Sequence, residues 1–504
     1  MKHSTKLVLN TIATYGRIIV NTIVTLLATR IALKCLGAEE YGLYNLIAGI
    51  IVLLSFVNGA LMISSQRYFS IAIGEKNFNK LDSYFNASLG IHILLGLFLL
   101  LILWSIKGFL FDNVLNINPS KVELGKQVYD LMNISAFVTV STIPFSAIIN
   151  AKEDMVYLAF CNICACIIKL IAAVTLLFIN NHLLLVYTIL MLASLFVKFF
   201  MELIWDKTKY KEIRIKISQL YNKALYVEML SFIGWNTLGS FAVVIRNQGV
   251  AVILNMFFGT IINAAYGIAN QVNALILSFA TALTTVFTPM IIQAKGEGNE
   301  KKMLTTAIFS SKISFYLSSI MALTILTFLD EILNMWLGEY PVETNLFCFY
   351  IILSFLVLQI YPGLNRAIYA VGKIKGYQIS ISVILVAVLP LGYSLFKMGF
   401  PPYSILVAMF VLQFFTLIST VYFAQKYCNL DTLYYSINSI VIPIILFCIF
   451  LYLGKKCIIL INVSDIFSVI IYAMIICILY SIVYFYLIFN SSEKKMLIGL
   501  TNKR

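Results

Sequence analysis

Six basic side chains stand inside long apolar stretches of the sequence: Arg17, Arg30, Lys169, Lys198, Arg246 and Lys312. A charge carried to the centre of a bilayer costs at least ~2.5–3.5 kcal/mol on insertion scales, so such groups are functional candidates by default. No carboxylate lies clearly in the middle of any of these stretches. A path rich in cations and poor in carboxylates suits an anion, and arginine's forked donors match phosphate or carboxylate oxygens.

Helical spacing sorts the candidates. Asn10, Thr14, Arg17, Asn21 and Thr25 step by three or four residues, which places them on one polar stripe. On a membrane-spanning helix such a stripe faces protein or water. Lys169 has Asn162 two turns earlier on its own face and joins the candidates. Arg30 falls thirteen residues beyond Arg17, on nearly the opposite face, and reads as snorkelling to headgroups. Lys198 has Glu202 one turn away and reads as a local pair. Lys312, near a helix end, reads as a second snorkelling side chain, and Arg67 as an anchor at the inner interface.

Other chemistry finds little support. His92 and His182 have no partners for catalysis, and Cys161, Cys164 and Cys166 lie mid-span without a histidine, as core thiols do. No catalytic residue, metal or cofactor is implied.

The elements that must carry the stripe are membrane helices. Of 504 residues, 61% are hydrophobic and only 12% charged, too few charges to solvate a soluble surface of this size. A span needs about 20 apolar residues. Fourteen candidates follow, near 8–33, 41–66, 84–106, 127–150, 155–179, 182–205, 227–255, 262–293, 305–329, 343–368, 376–397, 402–425, 436–454 and 465–490. The net charge of +14 sits in short loops rather than in a basic soluble domain, so no nucleic-acid partner is expected. With the N-terminus inside, twenty-three Lys and Arg fall on inner segments, Arg366 among them, and seven on outer ones. That asymmetry places both termini in the cytoplasm.

Sliding the chain by 222 residues superposes its two halves, with twelve identities over 58 positions. Among them is the polar run Gly-Glu-x-Asn-x-x-Lys, at Gly74–Lys80 and again at Gly296–Lys302. An offset of six spans implies parallel repeats about a pseudo-twofold axis, with a substrate path between them. The expected organisation is an all-α membrane protein with a six-helix lobe at 1–205, a basic cytoplasmic linker at 206–226, and a second six-helix lobe at 227–427. Two further helices and a short tail occupy 428–504. The linker reads as a solvated connector at anionic lipid headgroups. Arg246 maps onto position 24, two turns from Arg17 on the same face and ~10 Å away in depth. Asn236 and Asn247 map onto Thr14 and Thr25. Arg17, Asn21, Lys169, Arg246 and Asn247 are therefore the candidate substrate-binding residues.

LGAEEYGLYNLIAGI (36–50), SSQRYFSIAIGEKN (64–77), NAAYGIANQVNALILSFATALTTVFTPMIIQAKGEGN (263–299) and RAIYAVGKIKGYQI (366–379) resemble the Wzx-type polysaccharide flippases. These belong to the MATE-like (MOP) exporter superfamily. The resemblance covers residues from about 7 to 430. It implies a non-enzyme of the bacterial inner membrane that moves polyprenyl-diphosphate-linked oligosaccharide for O-antigen, lipopolysaccharide or capsule assembly, by alternating access. Membrane lipids and other polysaccharide-assembly proteins are the implied partners. Resemblance to the lipid II flippase implies a lipid-tail groove at the last two helices. A MATE-type exporter of drugs or other small molecules is the alternative within the superfamily, though a cation exporter is expected to carry a cavity carboxylate. A membrane-embedded glycan polymerase or glycosyltransferase is the alternative of another class, disfavoured by the short outer loops.

Overall fold

The computed structural model describes residues 3–52, 55–115, 117, 119–216, 220–337, 340–461, 466–491 and 493–494. The described chain is helical, with no strand among these residues. In order, the helices are α1 (His3–Val52), α2 (Ser55–Gly74), α3 (Phe78–Phe109), α4 (Val122–Ala151), α5 (Met155–Thr175), α6 (Leu183–Lys209) and α7 (Lys223–Gly296). There follow α8 (Glu300–Thr327), α9 (Leu329–Leu337), α10 (Thr344–Leu358), α11 (Pro362–Val371), α12 (Lys375–Lys397), α13 (Ser404–Cys428), α14 (Thr432–Tyr435), α15 (Ile442–Ile461) and α16 (Ile466–Ile488).

Among the described residues, 12 helices are long and apolar enough to cross a membrane, and the pair α10–α11, bent by 44°, makes 13 if it is one span. The expected span at 41–66 runs through residues 53 and 54, which lie outside the described residues. The chain is a multi-pass membrane protein.

It packs as two compact units, Leu9–Ser240 and Phe241–Arg504, the second also taking in Met1–Val8. In the first, α4 packs against α2, α3 and α6, while α5 lies on α6. In the second, α8 packs against α10, α11, α15 and α16, and α13 against α10, α11 and α12. Gly363 at the start of α11 permits the closest of these approaches, since a Cβ there would collide with the Ala307 carbonyl on α8.

The repeat is written into the backbone. The long α1 breaks at Gly37 (φ 72, ψ 172) and the long α7 at Gly259 (φ 77, ψ −170), 222 residues later. The loops carrying the repeated polar run also match. The Asn77 side chain caps α3 by accepting from the Lys80 backbone at 3.0 Å, and Asn299 caps α8 by accepting from Lys302 at 2.9 Å. Lys80 pairs with Glu75 at 2.9 Å and Lys302 with Glu297 at 2.8 Å. Lys76 and Gly298, at equivalent positions, share a positive φ.

Lys312 departs from expectation. It does not reach for headgroups; it is buried, and its Nζ pairs with Glu493 at 3.0 Å and donates to the Ile488 carbonyl at 3.2 Å. The Tyr484 hydroxyl donates to the Lys312 carbonyl at 3.0 Å. Together these bonds clasp α8 to the chain that leaves α16. Arg67 is also buried, its guanidinium 4.7 Å from the Tyr68 ring centroid and 4.8 Å from that of Phe232.

Candidate anion-binding residues and a buried carboxylate cluster

In the first unit the polar stripe of α1 is turned toward the unit's own helices over most of its length. Ile12, Ile19, Ile23 and Leu27 are exposed on the opposite face, as a lipid-facing row would be. Asn10 and Thr14 are buried. The Asn10 amide donates to the Glu153 carbonyl at 2.8 Å, pinning α1 to the turn between α4 and α5, and Thr14 donates to the Asn10 carbonyl at 2.7 Å. Arg17 and Asn21 are half-buried, and Thr25, at the far end, is exposed. The Asn21 Oδ1 is enclosed without a hydrogen-bond partner among the described residues. Its backbone carbonyl lies 3.9 Å from the Cys166 thiol of α5. Arg17 makes no ion pair with a carboxylate among the described residues.

Lys169 is half-buried on α5, three residues beyond Cys166, and its electrostatic neighbours are Cys166 and Lys198. It therefore meets a second cation rather than a carboxylate. Cys161, Cys164 and Cys166 are free thiols, and no group of His, Cys, Asp and Glu that could hold a metal is found among the described residues. His92 is buried, its Nδ1 2.6 Å from the Ser88 carbonyl.

In the second unit Arg246 and Asn247 meet directly. Nε and Nη2 of Arg246 donate to the Asn247 Oδ1 at 3.2 and 3.1 Å. The Tyr266 hydroxyl donates to the Asn247 carbonyl at 3.4 Å, and the Asn270 amide to the Tyr266 carbonyl at 2.9 Å. Tyr361 also lies within electrostatic reach of Arg246 and accepts a 2.6 Å bond from Gln413. The result is a cation in a tyrosine- and amide-lined setting. Its acceptor is a neutral amide, so its charge is uncompensated by any carboxylate among the described residues.

Two features lay outside the sequence expectation. Arg366, expected in an inner loop, is half-buried on α11 beside Tyr369 and Tyr377, with its guanidinium 5.8 Å from the Tyr369 ring centroid. The break at Pro362 starts a new helix here rather than a loop. On α6, Glu202 and Asp206 are both buried. Glu202 does pair with Lys198, but only at 3.7 Å, and it accepts a 2.6 Å bond from Ser146 of α4. α6 runs on to Lys209 and buries both carboxylates near its end rather than in the middle of the span.

The fold is that of the MATE-type transporters of the MOP superfamily. One similar structure is a point mutant of a MATE protein, at TM-score 0.74 and 13% identity over 84% of this chain and 96% of that one. A second is an outward-facing multidrug resistance MATE family transporter, at TM-score 0.72 and 13% identity with the same coverage. A third is a MOP superfamily transporter from Pyrococcus furiosus, described as having a binding pocket of reverse polarity that suggests a different function. It matches at TM-score 0.67 and 15% identity over 84% of this chain and 96% of that one. No family model matches the sequence, and no curated protein does.

Proposed function

We propose that this chain is a flippase-type transporter that carries a lipid-linked anionic glycan, a polyprenyl-diphosphate oligosaccharide, across the bacterial inner membrane for surface polysaccharide assembly. The observation that carries the reading is the pair of half-buried arginines, Arg17 and Arg246, each without a carboxylate partner among the described residues. A buried cation left uncompensated is costly, and an arriving anion recovers that cost. Arginine offers a diphosphate two parallel charge-assisted hydrogen bonds, which a lysine cannot reproduce. Asn21 and Asn247 supply neutral groups for sugar or phosphate oxygens, and the tyrosines near Arg246 supply flat faces and hydroxyls. Lys169 adds positive charge within the first unit. The pocket of reverse polarity ascribed to the Pyrococcus furiosus relative in fold supports the premise that this architecture serves substrates of differing charge.

The test is glycan export in cells that depend on this protein. Arg17→Ala and Arg246→Ala are expected to lose export at normal protein level, Arg17→Lys to be intermediate, and Arg30→Ala to transport nearly normally. Full activity in both alanine variants would overturn the reading.

A second reading, a MATE-type exporter of organic cations, is favoured by the buried carboxylates Glu202 and Asp206. It predicts that drug resistance conferred by the chain disappears in Glu202→Gln while the two arginine variants retain it.

A further inference from the structure

A cleft of about 600 Å³ opens in the first unit where three segments meet. They are the part of α1 beyond the Gly37 break, the start of α4 and the turn into α6. Glu40 comes from the first, Lys121, Glu123 and Gln127 from the second, and Asn180 and His182 from the third. Glu123 and Gln127, four residues apart, share one face of α4. His182 holds a left-handed backbone (φ 54, ψ 36), a region that histidine tolerates better than most side chains, and α6 starts from it. Leucines that begin α6 form the apolar side of the cleft. Its volume falls within the range of about 300–1,000 Å³ usual for small-molecule sites.

The charges of the lining decide what it can hold. The Lys121 ammonium pairs with Glu40 at 2.5 Å, both side chains partly buried, so the one lysine among the lining residues is already balanced. The side chains of Glu123, Gln127, Asn180 and His182 make no hydrogen bond or ion pair among the described residues. They offer a carboxylate that accepts, two amides that donate and accept, and an imidazole that does both through its two nitrogens. A phosphate, free or on a lipid headgroup, would meet an unpaired carboxylate and no unpaired lysine or arginine. A neutral ligand dense in hydroxyls, each both donor and acceptor, finds partners of both kinds.

We propose that this cleft binds a sugar residue of the carried glycan, through Glu123, Gln127, Asn180 and His182. The assignment rests on the transport reading above. The cleft is separate from the candidate anion-binding residues: Arg17 stands twenty residues before Gly37 on α1, ~30 Å at ~1.5 Å rise per residue. In the topology that the loop charges predict, the cleft opens on the outer side of the membrane. The sugar end therefore reaches it only after the diphosphate has left the inner leaflet, and the cleft is a station on the way out.

The experiment uses the full chain in lipid nanodiscs and two probes. One is the repeat-unit oligosaccharide of the native cell's surface polysaccharide, cut from its lipid and free of diphosphate. The other is polyprenyl diphosphate without sugar. Saturation-transfer NMR follows the Kd of the oligosaccharide. Glu123→Gln and Gln127→Ala, both at exposed positions, are each expected to weaken it severalfold, and the double variant about tenfold or more. Polyprenyl diphosphate should bind these variants as it binds the wild type. Asn181→Ala, an exposed neighbour that does not line the cleft, is the control and should change neither Kd. Oligosaccharide binding that weakens in the double variant supports the cleft, whether or not polyprenyl diphosphate binds. No oligosaccharide binding, or a Kd equal in wild type and double variant, overturns the cleft, and the transport reading survives if polyprenyl diphosphate still binds. Failure of both probes would overturn both.

Discussion

Gly37 and Gly259, 222 residues apart, hold the same backbone conformation, φ near +75° with ψ near ±170°, and each breaks a helix that otherwise runs on. That region of backbone space is essentially reserved for glycine, and a side chain held there costs about 1–3 kcal/mol. Among the described residues nothing crowds either Cα, so the conformation carries the cost. Gly37→Ala and Gly259→Ala are each expected to lower the Tm of the purified protein. Gly16→Ala, at an ordinary helical position with open space around it, is expected to leave it unchanged or slightly raised. Equal Tm values for all three would contradict the assigned breaks.

The repeated loops make a second, matched pair of expectations. Asn77 and Asn299 each accept a backbone N–H three residues on, satisfying a donor that the helix start leaves open. Alanine at either position should cost about 1 kcal/mol. The accompanying ion pairs are partly exposed, so Glu75→Gln and Glu297→Gln should cost less than the cap variants. Unfolding in parallel series on the two loops measures whether the halves respond alike.

The buried pair of Lys312 and Glu493 predicts an asymmetry between single and double substitution. Removing one partner leaves a charge in a closed site, which costs about 3–5 kcal/mol, whereas replacing both by apolar residues is often close to neutral. Lys312→Met and Glu493→Gln should each destabilise the protein. Lys312→Met combined with Glu493→Leu should recover much of the loss. Limited proteolysis near the C-terminus reports whether the single variants release the segment after α16.

Much of this architecture was legible in the sequence because bilayers impose a coarse rule, about 20 apolar residues per crossing. The offset of 222 was legible because polar loop residues repeat where apolar composition cannot account for them. The glycine breaks were not, since an apolar run reads the same whether its axis is straight or broken. In the sequence Asp206 reads as the start of the linker, because Lys207, Lys209 and Lys211 follow it. The helix in fact continues to Lys209 and buries Asp206. The partner of Lys312 lies 181 residues away, beyond the last span, where no local spacing reveals it. Among the candidate residues, the contact of Arg246 with Asn247 was not visible either. Consecutive positions on a helix point about 100° apart, and these two meet only through the long arginine side chain.

The charge asymmetry of the loops predicts a topology that fusions can check. Reporters placed after Lys209 and after Arg504 should read cytoplasmic, and one within 330–345 should read periplasmic. A cytoplasmic signal from that third fusion would break the expected order of spans.

The most direct test of the central claim is binding of polyprenyl diphosphate, without sugar, to the purified protein in lipid nanodiscs. Arg17→Ala and Arg246→Ala should each weaken the Kd about tenfold or more, equivalent to about 1.4 kcal/mol or more of lost interaction. The loss should exceed that of Arg17→Lys, while Arg30→Ala binds as the wild type does. Unchanged Kd values in both alanine variants, with the protein folded, would contradict the account.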